Sequence, residues 1–415
     1  MSKKTEHTLL LIFMLILSAI TYYYALHAMP SILSDYHGHL YVYLPMFLQD
    51  SWIEGWQTVP YCMWHVSVIF IHKLLHIPLE ISAAYISCFF TAVTYLVTYW
   101  VIRKATKALG FIESSGKVAF IAFGLSLVQA FYLPWLDTGD RFLGVYSINP
   151  LHNPTQMCVK VFSILCFCLV YDIWGIQQNK NYTGIFFHVE KNTKKYHIWL
   201  SVLLLLSTIA KPTFAEMFIP TVGIIMLWNW ITMLIRKEDT AKEYFRNCLH
   251  MLLCAVPSLL YICLQFVDYY ILGGNNNADT SIIITEWLEV WKMYSENIPL
   301  SILLSMAFPL FIIIIDIRYF LTSNMGKLAL VGYGVSFLEG ALLGEGGEKL
   351  FHSNFLWPLM SAMLIVWIVC TLRLLALEHL GTKNKLQSIL VDCAWMLFLI
   401  HLFYGFLYAL SWINL

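Results

Sequence analysis

Residues 9–28 read LLLIFMLILSAITYYYALHA, a run in which His27 is the only ionisable side chain apart from tyrosines. A helix rises 1.5 Å per residue, so a run of this length crosses the ~30 Å hydrocarbon core of a bilayer. Similar apolar runs recur to the end of the chain. We therefore predict an all-α, polytopic transmembrane helical bundle, with residues 1–415 forming a single transmembrane domain.

The composition supports this class. Hydrophobic residues make up 59% of the chain and charged residues only 12%, with a mean hydropathy of +0.69. Soluble domains carry about 25% charged residues. We expect no soluble domain, the lipid bilayer as a partner and no nucleic acid. The ten cysteines lie mostly inside apolar runs without a Cys-x-x-Cys pair, which is typical of small buried hydrophobes.

Hydropathy predicts about 11 spans. Their approximate bounds are 8–28, 80–102, 117–135, 155–175, 197–212, 214–235, 248–271, 299–319, 328–343, 355–376 and 389–412. Lys211-Pro212 separates the fifth span from the sixth, and proline interrupts a helix. We interpret the pair as the tip of a tight hairpin on the outer side. The alternative is one kinked span, which would invert all later segments.

The basic residues set the orientation. With a cytoplasmic N-terminus, 19 of the 25 Lys and Arg residues fall in inner loops, as the positive-inside rule requires. We expect an integral, multi-pass protein of a bacterial plasma membrane, with its C-terminus outside.

The first outer loop, residues 29–79, contains two amphipathic stretches, 38–54 and 61–76. Such stretches form helices that lie in the membrane interface. Three histidines of the second stretch share one helical stripe and are predicted to pack under lipid headgroups: His65, His72 and His76. No further ligands complete a tetrahedral metal set. We therefore expect no metal and no other cofactor, since ligand spacing does not support a divalent ion.

Polar residues gather in four outer elements, whereas the inner loops are short and basic. The elements are Asp35 with His37 and His39; residues 137–155, with Arg141, His152 and Asn153; Lys211 with Glu216; and the glycine-containing loop 344–354, with Glu345, Lys349 and His352. Each has an ordinary explanation as an exposed loop, a helix cap or a lysine that reaches the headgroups. Their location on one side of the membrane favours a shared site.

Two features of this side predict chemistry. Asn153 at an N-cap and Pro154 at the first helical position begin the fourth span, so its N-terminus presents free N–H groups. Lys160, one to two turns deeper, could complete a seat for a lipid phosphate. Asp35, close to the end of the first span, could act as a general base on a hydroxyl.

With these residues the chain resembles the GT-C class of polytopic glycosyltransferases. The resemblance comprises the first span, Asp35 after it, two interfacial helices, and the Lys211–Phe214 hairpin. It covers the topology of the chain, but its motifs are loose. The acidic pair usual in this loop is absent, which leaves Asp50 or Glu54 as second candidates.

The resemblance implies transfer of a sugar from a polyprenyl-phosphate donor to a glycan, lipid or protein acceptor at the outer face. Asp35 would be the catalytic base. The substrate-binding residues would be His37, His39, Arg141, His152, Asn153, Lys160, Lys211, Glu345, Lys349 and His352, of which the cations would offset charge on the departing phosphate.

Two other classes stay open. A transporter or flippase of a lipid-linked or anionic substrate would place ionisable groups near the midplane, where Asp172, Glu339 and Asp392 are the candidates. An outer-face O-acyltransferase or polysaccharide polymerase could use His37 or His152.

Overall fold

The computed structural model describes residues 3–32, 34–50, 52–111, 113–131, 146–178, 182–189, 194–271, 281–347, 350, 353–380 and 385–410. The longer helices are α1 (Lys3–Ala28), α5 (Leu79–Ala108), α6 (Ser115–Leu125), α7 (Pro154–Gln178), α8 (Lys194–Ala210), α9 (Thr213–Ile235), α10 (Ala241–Phe266), α12 (Ile298–Ile315), α14 (Asn324–Leu342), α15 (Trp357–His379) and α16 (Lys385–Leu410). The shorter ones are α2 (Asp35–His37), α3 (Trp52–Thr58), α4 (Met63–Leu75), α11 (Glu289–Lys292) and α13 (Ile317–Thr322). Helical turns also form at Gly38–Tyr43, Met46–Asp50, Val267–Ile271 and Asn354–Leu356, and strand β1 (Ile282–Ile284) pairs antiparallel with β2 (Leu343–Glu345).

Eight of these helices are long and apolar enough to cross a membrane: α1, α5, α7, α9, α10, α12, α15 and α16. The chain is therefore an integral, multi-pass membrane protein with a helical bundle. Three further predicted spans correspond to α6 with 11 residues, α8 with 17 and α14 with 19. The count of about eleven crossings stays a prediction.

Contacts between helix ends define two ends of the bundle. Near the end of α1, Tyr24 bonds to Tyr408 near the end of α16 at 3.0 Å. At the other end, Lys117 near the start of α6 pairs with Glu378 near the end of α15 at 2.8 Å. We call the first end, where α2 follows α1, the Asp35 end.

The chain reverses direction at Lys211. The ring of His197, near the start of α8, contacts His250 of α10 at 6.0 Å between centroids. Trp230, near the end of α9, contacts Phe245 of α10 at 4.8 Å. Both contacts involve the first half of α10, so the start of α8 and the end of α9 share one end of the bundle. The hairpin interpretation agrees with this geometry, and the single kinked span does not.

One predicted span differs from the structure. Within 117–135 the helix α6 ends at Leu125, and a non-helical segment, residues 126–131, continues inside the bundle. Its backbone groups are satisfied from other elements: Gln129 N–H donates to the carbonyl of His401 and Phe131 N–H to that of Leu304, each at 3.0 Å. Non-helical backbone is tolerated at membrane depth only where protein surrounds it in this way.

Asn149 completes this packing. Its side-chain nitrogen donates to the carbonyls of Leu125 at 3.1 Å and Val128 at 2.9 Å, while its side-chain oxygen accepts from the ammonium of Lys160. Asn149 is fully buried and Lys160 only 3% exposed. The backbone at the end of α6 is thus held by the side chain of Asn149, which is itself held by Lys160 of α7.

A further polar tie lies at the opposite end. Asp172, near the end of α7, accepts the backbone N–H groups of Ile185, Phe186 and Phe187 at 2.7–2.9 Å. The carboxylate therefore anchors the loop 182–189, which is an ordinary structural role for a buried acid.

Candidate functional site

Asp35 opens α2 directly after its N-cap, Ser34, whose hydroxyl accepts the N–H of Tyr36 at 3.3 Å. The Asp35 side chain is 40% exposed, although most of its neighbours are buried. One carboxylate oxygen, Oδ2, accepts the side-chain amide of Asn153 at 2.7 Å. The carboxylate is thus held in place while part of it stays accessible, as a base that must reach a substrate requires.

Asn153 caps α7, as the sequence predicts. Its Oδ1 accepts the N–H of Gln156 at 2.8 Å and the hydroxyl of Thr155 at 2.9 Å. Because these two donors occupy Oδ1, the amide nitrogen must face Asp35. A local capping motif on α7 therefore orients a carboxylate that lies more than a hundred residues earlier in the chain.

His152 lies beside this pair, with Nε2 4.0 Å from Oδ2 of Asp35. Its ring centroid is 5.8 Å from that of Trp357, the first residue of α15. Burial lowers the pKa of His152, Asp35 raises it and Lys211 lowers it further. The imidazole is consequently neutral at neutral pH.

Lys211 lies in the two-residue link between α8 and α9 and is only 6% exposed. Its ammonium is 4.1 Å from the ring centroid of Trp357 and 5.7 Å from that of Tyr61. Within the described part of the chain, the ammonium donates no hydrogen bond and forms no ion pair at contact distance. Aromatic faces attract a cation but do not neutralise it, so Lys211 offers its N–H groups to an anion.

The charge of Lys211 is balanced at longer range. Burial lowers the pKa of Lys211 to about 8, whereas the carboxylates of Asp35 and Glu216 raise it. Glu216, on the first turn of α9, is in turn within electrostatic reach of Glu345 and of Glu339 on α14. Lys211 is therefore within electrostatic reach of two carboxylates, Asp35 and Glu216.

Glu345 reaches this group because β2 pairs with β1. The register places Glu345 opposite Ile282, and its carboxylate accepts the side-chain amide of Asn354 at 2.7 Å. The side chain is buried, with 7% of the residue exposed. The short sheet thus fixes Glu345 within electrostatic reach of Glu216 on α9.

The two histidines after Asp35 differ in their surroundings. His37 is bonded through Nδ1 to the carbonyl of Met29 at 3.3 Å, which ties α2 to the end of α1. His39 is buried and its Nδ1 lies 3.1 Å from Nε2 of His65. His39 is also within electrostatic reach of Lys211. His65 is fully buried, so the prediction that its ring packs under headgroups is wrong.

Lys160 is not among the residues that surround Asp35. Its ammonium is bonded to Asn149, the residue that holds the non-helical segment 126–131, and Lys160 is buried from solvent. Lys160 therefore does not form the predicted phosphate site with the N-terminus of α7. Arg141, Lys349 and His352 lie outside the described residues.

Sequence reasoning missed Trp357 and Tyr61, which form the aromatic walls around Lys211. Aromatic residues are common near the ends of membrane spans, so their identity alone carried no signal. Among the described residues, no group of three or more His, Cys, Asp or Glu side chains could hold a metal ion.

Comparison of the chain with protein-family models and with curated proteins finds no match. Its function therefore has to be inferred from the geometry of Asp35, Lys211 and their neighbours.

Proposed function

We propose that the protein is a GT-C-like membrane glycosyltransferase, which moves a sugar from a polyprenyl-phosphate donor to a hydroxyl of a glycan, lipid or protein acceptor. Asp35 is the general base, and Lys211 binds the phosphate of the donor. The reaction takes place at the Asp35 end of the bundle, which in this proposal faces the outside.

The observation that carries the proposal is that Asp35 and Lys211, which the sequence separates by 176 positions, lie within electrostatic reach of each other. His152, 4.0 Å from Asp35, contacts Trp357, and Trp357 in turn contacts the ammonium of Lys211. Asp35 is a partly exposed carboxylate fixed by Asn153; Lys211 is a buried ammonium without a hydrogen-bond acceptor among the described residues. Transfer of a sugar away from a phosphate requires a base for the acceptor hydroxyl and a preorganised cation for the departing phosphate.

The step follows from these positions. The acceptor hydroxyl gives its proton to Asp35 while its oxygen forms a bond to the anomeric carbon of the sugar. The bond between that carbon and the phosphate oxygen breaks, and its electron pair leaves with the polyprenyl phosphate. Lys211 stabilises the negative charge that develops on the phosphate, and its desolvated surroundings strengthen this interaction.

A transporter of a lipid-linked anion is the second candidate, favoured by the end of α6 at Leu125 inside the bundle. Broken helices form substrate sites in many transporters. Here, however, the side chain of Asn149 already occupies the carbonyls of Leu125 and Val128. Asp172 is likewise used by loop N–H groups, and Glu339 lies in the last turns of α14 with the Asp35 group.

Donor turnover distinguishes the two functions. The protein is reconstituted in liposomes with polyprenyl-phosphate sugars and a mixture of glycan and lipid acceptors, and free polyprenyl phosphate is measured. We expect the unaltered protein to release polyprenyl phosphate. Release should fall at least about 100-fold in Asp35→Asn, following the usual contribution of a general base. Glu80→Gln, a carboxylate variant at the start of α5, should release polyprenyl phosphate as fast as the unaltered protein. Movement of labelled donor between leaflets without release, unaffected by Asp35→Asn, would instead identify a flippase.

A further inference from the structure

A chain of three side chains, formed by two buried tyrosines and the partly buried His152, lies beside Asp35. Tyr24 of α1 donates its hydroxyl to that of Tyr408 of α16 at 3.0 Å, and the Tyr408 hydroxyl lies 2.8 Å from Nδ1 of His152. The two tyrosine rings also contact each other at 5.5 Å. The chain connects the first and last helices of the bundle to the residue beside Asp35.

The arrangement of this chain favours one tautomer of His152. Because the Tyr408 oxygen accepts from Tyr24, its own proton is available for Nδ1 of His152. An imidazole that accepts at Nδ1 carries its proton on Nε2. Nε2 is the nitrogen that faces Asp35, at 4.0 Å from Oδ2. The other tautomer would direct a lone pair at a carboxylate, which is unfavourable.

Nε2 has no other use in the described structure. It is buried and makes no hydrogen bond to a described residue. An unpaired buried N–H group is unfavourable, and a small movement of His152 toward Asp35 would pair it. Oδ2 already accepts from Asn153, so the same oxygen would receive donors from two consecutive residues.

Hydrogen bonds to the backbone hold His152 close to Asp35. Ser34 directs its hydroxyl at the carbonyl of His152 at 3.5 Å, and the N–H of Asn153 donates to the carbonyl of Pro150 at 2.9 Å. The other charged group that faces His152 is Lys211. Its positive charge disfavours an imidazolium, which keeps His152 a neutral donor.

We propose that His152 is a positioning residue for Asp35: its Nε2–H, oriented by Tyr408 and Tyr24, hydrogen-bonds the carboxylate and stabilises Asp35 as the ionised base. The role of His152 in sugar transfer rests on the proposed function. The tautomer of His152 and its dependence on Tyr408 do not. When Asp35 takes the proton of the acceptor, His152 keeps its own proton, and no further transfer along the tyrosines is needed.

The tautomer is measured directly by solid-state NMR of the full-length protein, labelled with ¹⁵N-histidine and reconstituted in lipid at pH 7.5. The His152 signals are assigned as those lost in His152→Gln. We expect a neutral ring protonated at Nε2, and a mixture of tautomers in Tyr408→Phe. Tyr404→Phe, one turn earlier on α16, is the control and should leave the spectrum unchanged. A ring protonated at Nδ1, or identical His152 signals in Tyr408→Phe, overturns the proposal.

Kinetics test the role in transfer. In Tyr408→Phe we expect kcat to fall about tenfold, as for loss of one hydrogen bond to a charged group, with KM for the donor unchanged. We also expect the acidic side of the pH–rate profile to change, since a general base acts in its ionised form. An active Tyr408→Phe with the unaltered profile refutes the role of His152. Absence of transfer by the unaltered protein refutes the proposed function instead, and the NMR result still decides the tautomer.

Discussion

Asn153 joins two hydrogen-bond systems that substitution can separate. In Asn153→Ala both the cap of α7 and the donor to Asp35 are lost. In Asn153→Ser the hydroxyl still accepts as a cap, but it is too short to reach Asp35. In Asn153→Asp the cap is kept, and a second carboxylate faces the first.

The expected magnitudes follow from the contacts. Loss of an Asn cap costs about 1 kcal/mol. A hydrogen bond to a charged group contributes about 1.5–3 kcal/mol, and the lower value applies because the Asp35 side chain is 40% exposed. We expect the free energy of unfolding to fall by about 2.5 kcal/mol in Asn153→Ala and by about 1.5 kcal/mol in Asn153→Ser. Asn153→Asp should be the least stable of the three at neutral pH, because two carboxylates face each other, and acidification should reduce its deficit.

Unfolding is measured by SDS titration in mixed micelles, with tryptophan fluorescence as the signal. Asn297 is a matched control, since it caps α12 by accepting the N–H of Leu300 at 3.2 Å. Its substitution by Ala should cost only the cap, and its substitution by Ser or Asp should change little at any pH. Equal losses for the Ala and Ser variants at position 153, or an Asp variant without pH dependence, would refute the dual role.

Three further predictions concern other contacts. Gly405→Ala should lower the unfolding free energy by at least about 1–3 kcal/mol, because a Cβ would collide with the carbonyl of Leu127. A Cβ at Gly334 meets open space, so Gly334→Ala should not be destabilised in the same titration. Burial lowers the pKa of His65 to about 3, so its unfolded form takes up a proton below pH 6.5 and the native form does not. Stability should therefore fall from pH 6.5 to 4.5 by about 2–3 kcal/mol for this residue, and His65→Gln should show a weaker fall. Because burial lowers the pKa of Lys211 to about 8, KM for the donor should rise as pH increases through 8, and Lys211→Arg should remove this rise, as arginine stays charged.

Local features of the site could be predicted from the sequence, and distant ones could not. The cap at Asn153 depends on residues within three positions of it, so the pattern Asn-Pro-Thr sufficed. The apolar runs predicted where the helices lie, because burial in lipid depends mainly on composition. The walls of Trp357 and Tyr61 around Lys211 depend on three elements meeting in space, and hydropathy contains no such information.

The end of α6 at Leu125 was missed for a related reason. Hydropathy measures side chains, and residues 126–131 are almost as apolar as the helix before them. The helix can end there because the side-chain amide of Asn149 bonds to the backbone carbonyls of Leu125 and Val128, while Lys160 holds the side-chain oxygen of Asn149. The same contacts explain why Lys160, which the sequence placed with the lipid phosphate, is used inside the bundle.

The short link at Lys211-Pro212 also constrains how the chain is made. Two residues reach at most about 7 Å, so the end of α8 and the start of α9 stay close together at every stage of folding. In the predicted topology, with Lys211 and Asp35 both outside, the two helices would insert as a pair and the lysine between them would cross the hydrocarbon at a cost of several kcal/mol. In that topology, failure of this one insertion would separate Lys211 from Asp35 by the thickness of the membrane.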